Sequence, residues 1–206
     1  MARFFLLLLV GLICAPAALA QNNDYSRYEF YVGYAFERAS NNAATFDKNG
    51  RAAFNGATVL FDEKYQSYHG FNAEFNQNIT RNVGIVTSFT GTFDTSNYVD
   101  LRTGRGFSAG VQRYDLMIGP RYNWRGSVIP FVHAMAGVTH MRVDFDDPLT
   151  PRKKADTAFA MAFGGGLDIP VGEHLDIRAV QVDYLPTFFN STHQNNIRVG
   201  AGVKIK

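Results

Sequence analysis

The chain alternates apolar and polar side chains with a period of two, in segments of about ten residues separated by turn-forming stretches. A period of two is the signature of a strand, because successive side chains leave it on opposite faces. Eight segments carry the pattern: 28–38, 67–78, 82–94, 113–124, 129–145, 157–169, 175–185 and 196–205. In the first, Tyr28, Phe30, Val32, Tyr34 and Phe36 share one face, and Glu29, Tyr31, Gly33, Ala35 and Glu37 share the other. In the sixth, Phe159, Met161, Phe163, Leu167 and Ile169 oppose Ala160, Ala162, Gly164, Gly166 and Asp168. The fifth segment alternates poorly, and the pattern leaves its phase open. The seventh slips by one residue between Asp176/Arg178 and Gln181/Asp183, which predicts a β-bulge at Ala179-Val180.

The connections alternate in length as well. Short turns at 79–81, 125–128 and 171–174 join segments 2–3, 4–5 and 6–7, whereas longer polar loops join the others, the longest spanning about 39–66. Short turns on one rim and long loops on the other match an outer-membrane barrel with its turns in the periplasm. The predicted fold is all-β: one eight-stranded, antiparallel, up-and-down transmembrane β-barrel.

Alternation alone fits a soluble lipocalin-like barrel equally well, so the composition of the two faces has to decide. The apolar set is large (Phe, Tyr, Leu, Ile), whereas the opposite set mixes glycine and alanine with charges. A narrow eight-stranded lumen accommodates small residues and paired charges, while lipid requires the large apolar set. The expected luminal polar network is Glu29, Glu74, Arg113, Asp115, Arg121, Asp168, Asp176, Arg178, Gln181, Asp183, Arg198 and Lys204. Within it, Arg178 is expected to pair with Asp176 and Asp183, and Arg113 or Arg121 with Asp115. A structural salt-bridge network is the favoured reading of this set, and the lining of a narrow channel is the competing one.

The ends and the overall charge narrow the class further. Arg3, the apolar run 4–14, Pro16 and Ala18-Leu19-Ala20 have the layout of a secretory signal, with cleavage expected before Gln21. The expected division is 1–20 signal peptide and 21–206 barrel domain. At about 11 residues the apolar run falls short of the ~20 that a spanning helix needs. Cys14 is the only cysteine and precedes that cleavage point, which leaves no disulfide, thiolate metal site or cysteine nucleophile beyond it. With 20 basic and 18 acidic residues, the chain carries no charge excess that would point to nucleic acid.

The segment YEFYVGYAFERA from Tyr28 resembles the opening strand of the outer-membrane β-barrel superfamily (OmpA-like, eight-stranded). FAMAFGGGLDIPV from Phe159, HLDIRAVQVDYLPT from His174 and the terminal NNIRVGAGVKIK resemble its last three strands. The terminal Val203-Lys204-Ile205-Lys206 departs from the closing aromatic residue usual in such proteins. The resemblance implies a bacterial outer-membrane location reached through the periplasm, and outer-membrane lipid and lipopolysaccharide as surroundings. It also implies periplasmic chaperones and the barrel-assembly machinery as transient partners, and a monomer.

No catalytic signature accompanies these segments. His69, His133, His140, His174 and His193 show no zinc spacing, and His133 and His140, seven apart, are expected on opposite faces. Ser191-Thr192-His193 lies in a predicted loop and lacks the His-x-Ser-Asn pattern of the lipid A deacylases that share this architecture. Gly164-Gly165-Gly166 reads as close luminal packing, and Arg152-Lys153-Lys154 as an exposed loop cluster. The expectation is a non-catalytic protein without cofactor or metal, structural or surface-interacting. A narrow porin-like channel and a soluble periplasmic binder of apolar ligands are the alternatives.

Overall fold

A computed structural model of the chain describes residues 25–40, 51–54, 57–60, 65–100, 105–146, 152–189 and 192–206. The predicted signal peptide lies outside these residues. Eight strands close into one antiparallel barrel: β1 (Tyr28–Ser40), β4 (Tyr65–Asn78), β5 (Val83–Asp100), β6 (Arg105–Asn123), β7 (Ile129–Asp146), β8 (Arg152–Pro170), β9 (Leu175–Phe189) and β10 (Thr192–Ile205). Each strand pairs with its neighbours in sequence, and β1 closes the cylinder between β4 and β10. A short hairpin, β2 (Arg51–Phe54) with β3 (Ala57–Leu60), stands within the connection expected to be a loop over 39–66.

Strands β5, β6 and β8 run well beyond their alternating segments, and Arg152-Lys153-Lys154 opens β8 instead of lying in a loop. The alternation reports only the membrane-facing stretch, because above it neither face requires apolar side chains. No helix among the described residues is long and apolar enough to cross a membrane. The strands do the crossing.

The large apolar set points outward, as at Phe30, Val32, Leu116, Ile118, Phe159, Val182 and Ile197, all exposed. The outward series ends at a polar residue on strand after strand: Arg38, His69, Thr95, Gln112, His140, Thr157 and Asn195. Several of these are paired across or along strands. The Tyr184 hydroxyl donates to Asn195 Oδ1 at 2.6 Å, His140 Nδ1 lies 2.8 Å from Thr157 Oγ1, and Tyr34 hydrogen-bonds His69. At the periplasmic edge Tyr122 and Trp124 meet edge to face, 4.8 Å between centroids, and Gln77, Arg81 and Glu173 are exposed beyond them. About ten residues of tilted strand between the two borders make a band of about 25 Å, the height of an outer-membrane barrel's apolar belt.

The bulge stands where the phase slip requires it. Leu167 pairs with Val180 but Asp168 with Arg178, and Gly200 pairs with Gln181 but Gly202 with Arg178. Ala179 and Val180 both face outward, so the phase-shifted pairs Asp176/Arg178 and Gln181/Asp183 both enter the lumen. On β7 the structure supplies the phase that the sequence left open: Ile129, Phe131, His133 and Met135 point inward and Val132 and Val138 outward. Both faces of this strand are apolar, which erased the alternation.

Candidate functional site

The twelve residues of the expected network are all buried in the lumen. They form one connected file with three levels. At the periplasmic level Lys204 Nζ sits 2.8 Å from Asp168, 2.9 Å from Asp176 and 3.5 Å from Glu29. Two cations at the rim complete this level: Lys206 lies 2.7 Å from Asp176, and Arg125 lies 2.9 Å from Glu29.

At the middle level Arg178 is the hub. Its Nε donates to Asp168 Oδ1 at 2.7 Å and its Nη2 to Asp168 Oδ2 at 3.3 Å, a bidentate grip from β9 onto β8. Its Nη1 reaches across the lumen to Glu74 Oε2 on β4, at 2.7 Å. Glu74 also holds Arg121 at 3.1 Å and accepts from Gln181 Nε2 at 2.9 Å. The Arg178 guanidinium lies between two rings, 4.0 Å from the Tyr31 centroid and 4.3 Å from that of Phe131, and Arg121 lies 3.9 Å from Phe131.

Glycine makes room for both rings. A Cβ on Gly33 would come within 2.2 Å of the Tyr31 hydroxyl, and one on Gly166 within 2.7 Å of the Phe131 ring. The glycines of the alternating pattern are therefore the space into which this plug is built.

At the third level Asp183 accepts from Arg198 Nη2 at 2.7 Å and Nε at 3.0 Å, and His133 Nε2 lies 2.9 Å from its other oxygen. Gln181 Nε2 bridges back to Asp183 at 2.9 Å, joining this level to the one below. Arg113 lies 3.1 Å from Asp115 and 2.5 Å from Glu37, and Thr139 donates to Asp115. Elsewhere in the lumen Met117, Met135, Leu185 and Val86 pack against Ala160 and Ala162. Toward the extracellular end of β1, Asn196, Thr187, Gln194 and Ser40 hydrogen-bond one another.

The expected pairing of Arg178 needs correction. Asp176 belongs to Lys204 and Lys206, and Asp183 belongs to Arg198 and His133. Neighbours two apart on one strand share a face, but the partners of Arg178 come from β8 and from across the barrel, a relation that no linear spacing encodes. Arg113 does pair with Asp115, whereas Arg121 pairs with Glu74. The sequence reading left Glu37, His133, Arg125 and Lys206 out of the network. Glu37 was legible on the polar face of β1, and His133 was hidden by the lost phase of β7.

The charges balance. Seven buried carboxylates (Glu29, Glu37, Glu74, Asp115, Asp168, Asp176 and Asp183) face five buried cations (Arg113, Arg121, Arg178, Arg198 and Lys204), and the two rim cations make up the difference. Among the described residues no group of three acidic, histidine or cysteine side chains is placed to hold a metal ion. His140 and His69 face outward at the polar border, His193 is exposed near the start of β10, and His174 lies in a periplasmic turn. What this arrangement does chemically is set each of these buried charges within ion-pair distance of an opposite one.

Known proteins give the same architecture. Ail, the attachment invasion locus protein of Yersinia pestis, is similar in structure at a TM-score of 0.54 and 17% identity, over 86% of this chain and 97% of that one. Neisserial surface protein A is similar at a TM-score of 0.57 and 13% identity, over 88% of this chain and 97% of that one. No curated protein matches the chain in sequence. The outer membrane protein beta-barrel domain family matches residues 5–204. With the apolar residues outward, the soluble lipocalin-like alternative falls, and the chain belongs to the outer membrane protein beta-barrel domain family, located in the bacterial outer membrane.

Proposed function

We propose that this protein is a non-catalytic barrel whose lumen is a structural core and whose working surface is the extracellular rim. One observation carries the reading: Arg178 lies 4.0 Å from the Tyr31 centroid and 4.3 Å from that of Phe131 and is ion-paired to Asp168 and Glu74, so side chains from β1, β4, β7, β8 and β9 meet at one level of the lumen. Removing one partner of such a buried pair costs roughly 3–5 kcal/mol, which ties the network to the stability of the barrel. Among the described residues the one buried His–Asp pair, His133–Asp183, is enclosed, and its carboxylate is already held by Arg198. That geometry supports a packing role over an acid–base one.

The rim supports the reading from the other side, since four strands continue above the polar border. The fold neighbour Ail is named for attachment and invasion, the kind of role such a rim would serve here. Outer-membrane lipid and lipopolysaccharide are the proposed surroundings. Arg38, His69 and His140 at the outer border are suited to meet lipopolysaccharide phosphates. Transient handling by chaperones and the assembly machinery, a monomeric state and no nucleic-acid partner complete the proposal.

The channel reading keeps one supporting fact, the continuity of the polar file along the lumen. Planar-bilayer recording of the purified barrel discriminates the two. The expected outcome is a silent bilayer at protein levels where open porins conduct. Steady single-channel steps would overturn the closed-lumen reading.

A further inference from the structure

The overall balance of luminal charge hides an uneven distribution. The two rim cations serve Glu29 and Asp176 at the periplasmic level. The third level therefore sets three buried carboxylates, Glu37, Asp115 and Asp183, against two buried guanidiniums, Arg113 and Arg198. Arg198 is committed to Asp183 through Nε and Nη2, and its Nη1 donates to Thr90. That leaves Arg113 between two carboxylates, 2.5 Å from Glu37 through Nη1 and 3.1 Å from Asp115 through Nε.

The oxygens of this pair are short of donors. Asp115 Oδ1 accepts from Arg113 and Thr139. Its Oδ2 accepts no hydrogen bond from a described residue, and the nearest Arg198 nitrogen stands 3.9 Å away. Neither oxygen of Glu37 accepts one, although the side chain is fully buried. The strands flanking Glu37 place Arg198 and Tyr68 opposite it, but Arg198 is held by Asp183, and the Tyr68 hydroxyl donates to Gln66 Oε1 at 3.0 Å. Thr92, the register partner of Arg113 on β5, also has a buried hydroxyl with no hydrogen-bond partner among the described residues. His133, the other group on this level able to take a proton, lies against Asp183 with Arg121 opposite it on β6, so a proton there would add a third cation beside Arg121 and Arg198.

A buried carboxylate oxygen without a donor is costly, and two carboxylates crowding one cation do not both stay ionised. One bound proton removes both costs. It turns one member of the pair into a neutral carboxyl, whose O–H donates to the carboxylate of the other, and it brings the level to two anions against two cations. We infer that Glu37 and Asp115 form a proton-binding site inside the barrel, sharing one proton beside Arg113 at neutral pH.

The test is infrared spectroscopy of the full barrel in lipid, in heavy water at neutral pH. The C=O stretch of a neutral carboxyl stands apart from carboxylate and amide bands, and one such band is expected. Glu37→Gln is expected to remove it, because the amide oxygen faces Arg113 and the amide nitrogen takes over donation to Asp115. Asp115→Asn is expected to remove it as well, because Glu37 then has Arg113 to itself and ionises. Asp176→Asn, at the periplasmic level, is expected to leave it in place. Absence of the band from the unaltered barrel, a measurement that needs no variant to fold, would overturn the inference, and so would a band that survives either of the first two substitutions. Urea unfolding gives a second readout. With a proton already shared, the folding equilibrium constant of Glu37→Gln is expected to equal or exceed that of the unaltered barrel. A loss of about a hundredfold, the scale of breaking a buried ion pair, would mean that Arg113 holds Glu37 as an anion and would overturn the shared site.

Discussion

At the residue scale, the lumen shows why a charged side chain can sit inside a membrane protein at all. Arg178 is fully buried, yet each of its nitrogen donors meets a carboxylate or amide oxygen, and two rings cover its faces. Removing it leaves Glu74 with Arg121 alone and Asp168 with Lys204 alone, one buried carboxylate in excess. Arg178→Leu is expected to destabilise the barrel by about 3–5 kcal/mol, read from the urea midpoint of unfolding in detergent. Adding D168N to that variant removes the excess carboxylate, leaves Lys204 with Asp176 and Glu29 and Glu74 with Arg121, and is expected to recover part of the loss. A double variant no more stable than the single one would mean that packing, and not charge compensation, dominates at this level.

At the element scale, β9 accommodates a single inserted residue. Its bulge at Ala179-Val180 is what lets Asp176 and Arg178 share the lumen with Gln181 and Asp183. A one-residue change of register moves every side chain on one side of it to the other face. Deleting Ala179 removes that extra residue and leaves Asp176, Arg178, Gln181 and Asp183 in regular alternation on the luminal face, so the variant is expected to fold as a barrel without the bulge. A protease-protected core in lipid, as in the unaltered barrel, would show it, whereas complete digestion would mean that the bulge itself is required. The same logic governs β10, where Val199 faces lipid between Ile197 and Ala201. Val199→Arg is expected to cost about 2–4 kcal/mol in unfolding free energy, the midplane penalty for a cation on the lipid face.

At the scale of the whole molecule, closure of the ladder and the luminal network act together. Every barrel strand within the membrane is paired on both sides, so unfolding has no edge from which to start. The folded barrel is accordingly expected to migrate faster than the boiled chain in dodecyl sulfate electrophoresis. A single mobility regardless of heating would contradict a closed, ion-paired cylinder. The four strands that rise above the band are different in kind. Among the described residues they lack both lipid and a full circle of neighbours.

The sequence by itself determined the eight membrane-crossing stretches, their antiparallel order and the place of the bulge. Each of these follows from local periodicity, which is a property of neighbours along the chain. It also determined which charges face inward, because the period-two pattern assigns a face to Glu74, Arg178 and Asp183 without knowing their partners. The tertiary structure alone decided who pairs with whom. Arg178 meets Glu74 across the barrel, and Arg113 meets Glu37 from β6 to β1. Those distances depend on tilt and closure, which no linear spacing records. It alone decided the phase of β7, whose luminal Phe131 and Met135 hide the alternation by filling the space that glycines on other strands leave open. And it alone extended β5, β6 and β8 above the membrane, where pairing with a neighbouring strand, and not burial of a face, holds the chain extended.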